Sequence, residues 1–182
     1  MDRQPTLEDD RVLVRPLETS DWDGLFAVAS DPAIWEQHPM HDRWRDDVFR
    51  EFFDDALAKG GALAIIDKRN GEIIGSSRYQ AFDEEDGGSV EIGWTFFARK
   101  CWGKGINPAV KRLMLAHAFE TVTRVDFRVG ETNYRSRIAL ENIGAERTSR
   151  TELAQYQGKR VLHIVYEITR DSFEAGPLFG AS

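Results

Sequence analysis

The chain has 182 residues, a hydrophobic fraction of 41%, a charged fraction of 30% and a net charge of −7. That length suits one well-buried domain, and the acidic balance argues against a nucleic-acid-binding face while suiting an amine acceptor. A single cysteine, Cys101, excludes an intrachain disulfide and a cysteine-based metal cluster, and no stretch has the apolar length of a signal-peptide core or a membrane span.

Residues 1–10 read as a tail. "RVLVRPL" (11–17) alternates like a first strand, and "TSDWDGLFAVAS" follows with Trp22, Leu25, Phe26 and Ala29 at helical spacing and Thr19 or Ser20 as N-cap. "DPAIWEQHPMHD" reads as a loop or short helix. Residues 43–59 place Trp44, Val48, Phe49, Phe52, Phe53 and Leu57 on one side of a second helix that stops at "KGG". "ALAIIDKRNGEIIGSSRYQAF" predicts a hairpin with Asn70-Gly71 at a two-residue turn. After the acidic loop "DEEDGG", "SVEIGWTFFA" alternates as a strand. Val90, Ile92, Trp94 and Phe96 are expected on one face, with Glu91, Gly93, Thr95 and Phe97 on the other.

"ARKCWGKGINPAVKRLMLAHAFE" (98–120) joins that strand to a helix. Asn107 is suited to the N-cap and Pro108 to the first helical position, with Val110, Leu113, Met114, His117 and Ala118 facing inward. "RVDFRVG" is the next strand, and "NYRSRIALENIG" a short helix ending at Gly144. "ERTSRTELA" and "KRVLHIVYEI" form a last hairpin, and residues 171–182 a second tail. The expected fold is α/β (α+β): a single domain over 1–182 with a central mixed sheet of about seven strands and about four helices.

A helix start carries unpaired N–H groups and partial positive charge, which suits phosphate. Gly103 and Gly105 allow positive φ and close backbone approach, while Arg99, Lys100, Lys104 and Lys111 add positive charge. The turn fits neither a Walker loop nor the G-x-G-x-x-G dinucleotide pattern, and a plain β-to-α connection with solvated lysines would carry the same residues. The four histidines, His38, His41, His117 and His163, follow no metalloenzyme spacing, so no metal is expected.

"EIGWTFFARKCWGKGINPAVKRLMLAHAFE", together with "RVDFRVGETNYRSRIALENIGAER", resembles the GNAT superfamily of acyl-CoA N-acyltransferases, in particular its RimJ/RimL-like branch. The resemblance runs over residues 11–169 and implies an acetyl-CoA-dependent N-acetyltransferase. The family's pyrophosphate turn falls on Trp102, Gly103, Lys104, Gly105, Ile106 and Asn107, with Gly105 at its first invariant glycine; Trp102 and Asn107 depart from the strict pattern. Thr95, Phe96 and Phe97 align with the strand that pairs with the pantetheine arm, Asn133 with an asparagine that contacts it, and Ser136 with the small residue three positions later.

In that family an amine attacks the thioester directly, so the ammonium must lose a proton, the carbonyl be polarised and the thiolate be stabilised. The resemblance implies Glu91 as base, an amide near Phe96 as oxyanion donor, and acceptor contacts from Trp35, His38 and His41. The position where relatives carry a tyrosine acid is Leu140 here, which leaves Ser136 or Tyr134 as substitutes. The implied acceptor is a small amine, an amino acid or a protein N-terminus. A homodimer, cytoplasmic residence and no nucleic-acid or membrane partner are expected. Two other readings stay open: a non-catalytic acyl-CoA-binding sensor or assembly module, and a generic nucleotide-binding protein.

Overall fold

The computed structural model describes residues 1–156 and 158–180. Its strands are β1 (Leu7–Glu8), β2 (Val12–Pro16), β3 (Ala62–Asp67), β4 (Glu72–Asp83), β5 (Ser89–Phe97), β6 (Arg124–Gly130), β7 (Glu146–Tyr156) and β8 (Lys159–Thr169). Its helices are α1 (Trp22–Ala29), α2 (Pro32–Trp35), α3 (Asp46–Lys59), α4 (Ile106–Phe119), α5 (Tyr134–Asn142) and α6 (Arg170–Glu174). One mixed sheet runs in the order β1-β2-β3-β4-β5-β6-β8-β7, with β5 and β6 its parallel pair and α4 the crossover between them. The expected count was short by the two-residue β1 and by short helices, which leave almost no periodicity to read.

The sheet separates two cores. Val12, Val14, Ile65, Val90, Ile92, Phe127 and Ile164 pack under α4 and α6 on one face. Leu17, Ala64, Phe96 and the α1–α3 residues Leu25, Trp35, Phe49 and Phe53 fill the other. Burying such side chains contributes roughly 2 kcal/mol apiece before conformational entropy is set against it.

Local chemistry moves several expected boundaries. A 3-10 turn, Thr19–Asp21, precedes α1, and Glu18 with Asp21 forms its capping box, so Thr19 and Ser20 cap nothing. At the β3–β4 turn only Gly71 has positive φ (72°); its amide donates to Asp67 O at 2.8 Å across a longer loop, so the two-residue turn expected at Asn70-Gly71 does not form. Gly105, at φ 74°, is the N-cap of α4. Asn107 and Pro108 therefore lie inside the first turn rather than at cap and first position. Proline is harmless there, because first-turn amides lack an intrahelical acceptor in any case.

Candidate active site

The site forms where the sheet comes apart. β5 and β6 pair only through Ser89↔Arg124, Val90↔Val125 and Glu91↔Asp126. Beyond Glu91, β5 continues against β4 alone while β6 continues against β8 to Gly130↔His163. The facing edges, residues 92–97 and 127–130, are left with backbone donors and acceptors that a strand-like ligand can satisfy.

A bulge in β5 drives the divergence. Ser76 pairs with Phe96 and Arg78 with Gly93, so β5 carries one residue more than β4 over this stretch, and Trp94 sits at φ 52°. The extra residue reverses the alternation. Val90, Ile92 and Phe97 belong to the α4-side core and Phe96 to the α1–α3 side. The expected sharing of one face by Val90, Ile92, Trp94 and Phe96 is thus corrected: strict alternation holds only up to the bulge.

At the end of β5 the chain turns through 98–105 into α4. Gly103 and Gly105 have φ of 69° and 74°. Among the described residues, the amides of Gly103, Gly105, Ile106 and Asn107 make no hydrogen bond, and Ala109 N–H is the first to reach back, to Gly105 O at 3.2 Å. Four open N–H groups at a helix start form an anion cradle. Arg11, which the sequence reading passed over, braces it by donating to Lys104 O at 2.7 Å. Trp102 Nε1 donates to Phe97 O at 3.1 Å, and the Arg135 guanidinium stacks 4.2 Å from its ring, linking the turn to α5 across the opening.

The cations near the turn differ from those expected. Arg99 is paired with Asp31 and Lys100 with Glu72. Lys111 lies beneath the turn, 3% exposed, donating to Thr95 Oγ1 at 2.6 Å and Ser77 Oγ at 3.2 Å. Burial pushes its pKa down to about 7. Lys104 remains exposed, with Arg11 and Arg135 as the other nearby charges.

Glu91 occupies the point where the strands part, 7% exposed, with its carboxylate against the Arg128 guanidinium. Arg128 also pairs with Glu152 at 2.9 Å. Burial raises the Glu91 pKa, and Arg128 opposes that rise through its charge and hydrogen bond.

On the same face the 36–45 segment closes over the end of β6. A Cβ on Gly130 would meet Pro39 Cγ at 2.9 Å. Trp35 is buried, donating Nε1–H to Ala29 O at 2.8 Å, with its ring against Phe96 and His38. His38 Nδ1 accepts from Met40 N–H at 2.9 Å, and burial followed by the Arg43 charge holds the imidazole neutral. His41 is exposed and makes none of these contacts. Tyr156 and His163, rings 5.7 Å apart, reach in from the last hairpin.

Asn133 is buried, but its Oδ1 caps α5 by accepting from Ser136 N–H at 3.3 Å. The Ser136 side chain makes no hydrogen bond among the described residues, Tyr134 is 59% exposed, and Leu140 packs on the α4-side core. Arg43, Arg78 and Arg128 were missed in the sequence, although Arg78, a lone charge inside an apolar strand, was the available signal.

A family model described as an acetyltransferase (GNAT) domain matches residues 11–146. An uncharacterized N-acetyltransferase p20 from Bacillus licheniformis is 27% identical over 135 residues, covering 70% of this chain and 75% of that protein. A GCN5-related N-acetyltransferase from Brucella melitensis superposes with a TM-score of 0.81 at 19% identity, covering 94% of this chain and 81% of that one. Mycobacterium smegmatis RimJ, in a complex with CoA-disulfide, does so with a TM-score of 0.70 at 19% identity, covering 96% and 90%. With three quarters of its length inside that family model, the chain belongs to the GNAT family and is an N-acetyltransferase.

Proposed function

We propose that the chain moves the acetyl group of acetyl-CoA directly onto a primary amine within a ternary complex, as a member of the RimJ/RimL-like branch. The acceptor is a small amine, an amino acid or a protein N-terminus, and the site of action is the cytoplasm, where a lone Cys101 stays reduced. The observation that carries this reading is the coincidence of two features: the sheet opens after Glu91, and Glu91 is a buried carboxylate with a raised pKa.

The residues fit coenzyme A. The open amides of Gly103, Gly105, Ile106 and Asn107 suit a diphosphate, with Trp102 and Lys104 flanking them. The edge through Thr95, Phe96 and Phe97, unpaired on its β6 side, suits an amide-bearing arm, and Asn133, the N-cap of α5, is assigned a contact with that arm. When bound, acetyl-CoA supplies a thioester carbonyl reactive toward amines. Glu91 then accepts the proton of the incoming ammonium, a task for which a carboxylate with a raised pKa is better matched than an ordinary one. An amide near Phe96 donates to the developing oxyanion. Ser136 is assigned the protonation of the leaving thiolate, Trp35 and His38 the wall of the acceptor side, and the exposed His41 its outer rim.

The test follows free-thiol release with acetyl-CoA across a panel of amines and peptides. Glu91→Gln is expected to lower kcat on the order of a hundredfold or more, with acetyl-CoA affinity retained. Unchanged turnover in Glu91→Gln removes Glu91 from the role of base.

A further inference from the structure

Two buried guanidinium groups on the acceptor side, those of Arg43 and Arg78, are incompletely paired. Arg78 is 2% exposed; its Nη1 donates to Asp55 Oδ2 at 3.0 Å, while its Nε and Nη2 are buried with no hydrogen-bond partner among the described residues. Asp55 is itself shared with Lys59 at 2.8 Å. Arg43, 9% exposed, forms no ion pair among the described residues and has a 3.4 Å contact with His38 Nε2. Both guanidinium groups lie beside the Phe52 ring, at 4.7 Å for Arg43 and 5.6 Å for Arg78. Trp35 and Trp94 add one further aromatic contact to each.

Aromatic faces attract guanidinium groups but do not neutralise them, and a buried charge without a counter-charge is costly. The two arginines also repel: burial, with the Arg78 charge adding to it, brings the Arg43 pKa down to about 10 even though Tyr156, Asp42 and Asp55 act in the opposite direction. An anion beside Arg43 relieves both penalties, and a carboxylate matches the guanidinium fork. Arg78 is the cross-strand partner of Gly93, two residues along β5 from Glu91, which sets the arginine pair beside the strand that carries the carboxylate.

We propose that Arg43, backed by Arg78, binds a carboxylate on the acceptor, so that the enzyme's substrate is an amine that also carries a carboxylate. The carboxylate lies at Arg43 and the amine points to Glu91, each end meeting a group of opposite charge. This rests on the amine-acetylation reading above.

The experiment pairs the common L-amino acids with their carboxamides as acceptors and adds a short acidic peptide to separate free amino acids from chain N-termini. The wild-type enzyme is expected to favour the carboxylate-bearing member in kcat/KM by at least about tenfold. In Arg43→Gln that ratio is expected to fall to about one, with Arg43→Lys intermediate because it keeps the charge without the fork. A second arm titrates N-acetylated amino acids and their amides into the CoA-loaded protein, reading binding without chemistry. Carboxylate-selective, Arg43-dependent binding upholds the anion site even if no amine is acetylated. Amines acetylated without carboxylate preference overturn it and leave the transfer reading standing. A preference that survives in both Arg43 variants overturns it as well.

Discussion

Lys111 shows what one side chain on the wrong stripe can mean. It sits between Val110 and Met114 on the buried side of α4 and is held by two hydroxyls that also bond each other at 2.8 Å. Its folded pKa of about 7 lies well below the roughly 10.4 of an unfolded lysine. Between those values the unfolded chain binds a proton that the folded chain does not, so stability rises with pH across that window. Lys111→Met is expected to remove this dependence. From about pH 7.5 to about pH 9 the wild type should gain on the order of 2 kcal/mol more in urea unfolding than the variant; parallel curves would contradict a neutral buried lysine. The same logic applies to Glu91, whose ionised form Arg128 favours. In Arg128→Gln that support is gone, the Glu91 pKa rises further, and the acid limb of the pH profile of kcat/KM is expected to move to higher pH. Neither pairing was visible in one dimension. Glu91 and Arg128 stand 37 residues apart in sequence and meet only because β5 and β6 are parallel neighbours.

At the scale of elements, glycine placement was legible and strand phase was not. Gly103 and Gly105 stood out because a turn into a helix needs positive φ, and both adopt it. Alternation in "SVEIGWTFFA" gave no sign of the extra residue at Trp94, because a bulge is decided by pairing with β4 rather than by the strand's own pattern. The α4 boundary shifted for a related reason: Asn107 and Pro108 are good starting residues, yet a left-handed Gly105 begins the helix before them. Gly105→Ala is expected to cost roughly 1–2 kcal/mol in stability, since an L side chain at φ 74° is strained. The new Cβ meets Arg11 Nη1 at 3.3 Å, so the brace on the turn shifts too, and acetyl-CoA affinity should fall roughly tenfold by calorimetry. Unchanged affinity would place the diphosphate elsewhere.

For the whole molecule, the α/β class and the single sheet followed from the order of elements, and the motif stretches carried the family. The proposed acceptor side was harder to see. Its residues are scattered, Trp35 and His38 in one segment, Arg78 in β4, Glu91 in β5, and Tyr156 and His163 in the last hairpin, so only the strand order of the folded sheet relates them. The central claim is that the opening between β5 and β6 and the amides at the start of α4 together hold coenzyme A. Hydrogen exchange with and without CoA tests it most directly, because exchange reads individual amides. Protection should appear at residues 92–97 and 103–107, with the β3–β4 turn unaffected. Saturating CoA that leaves those amides exchanging as fast as before, or that protects another region instead, would contradict the account.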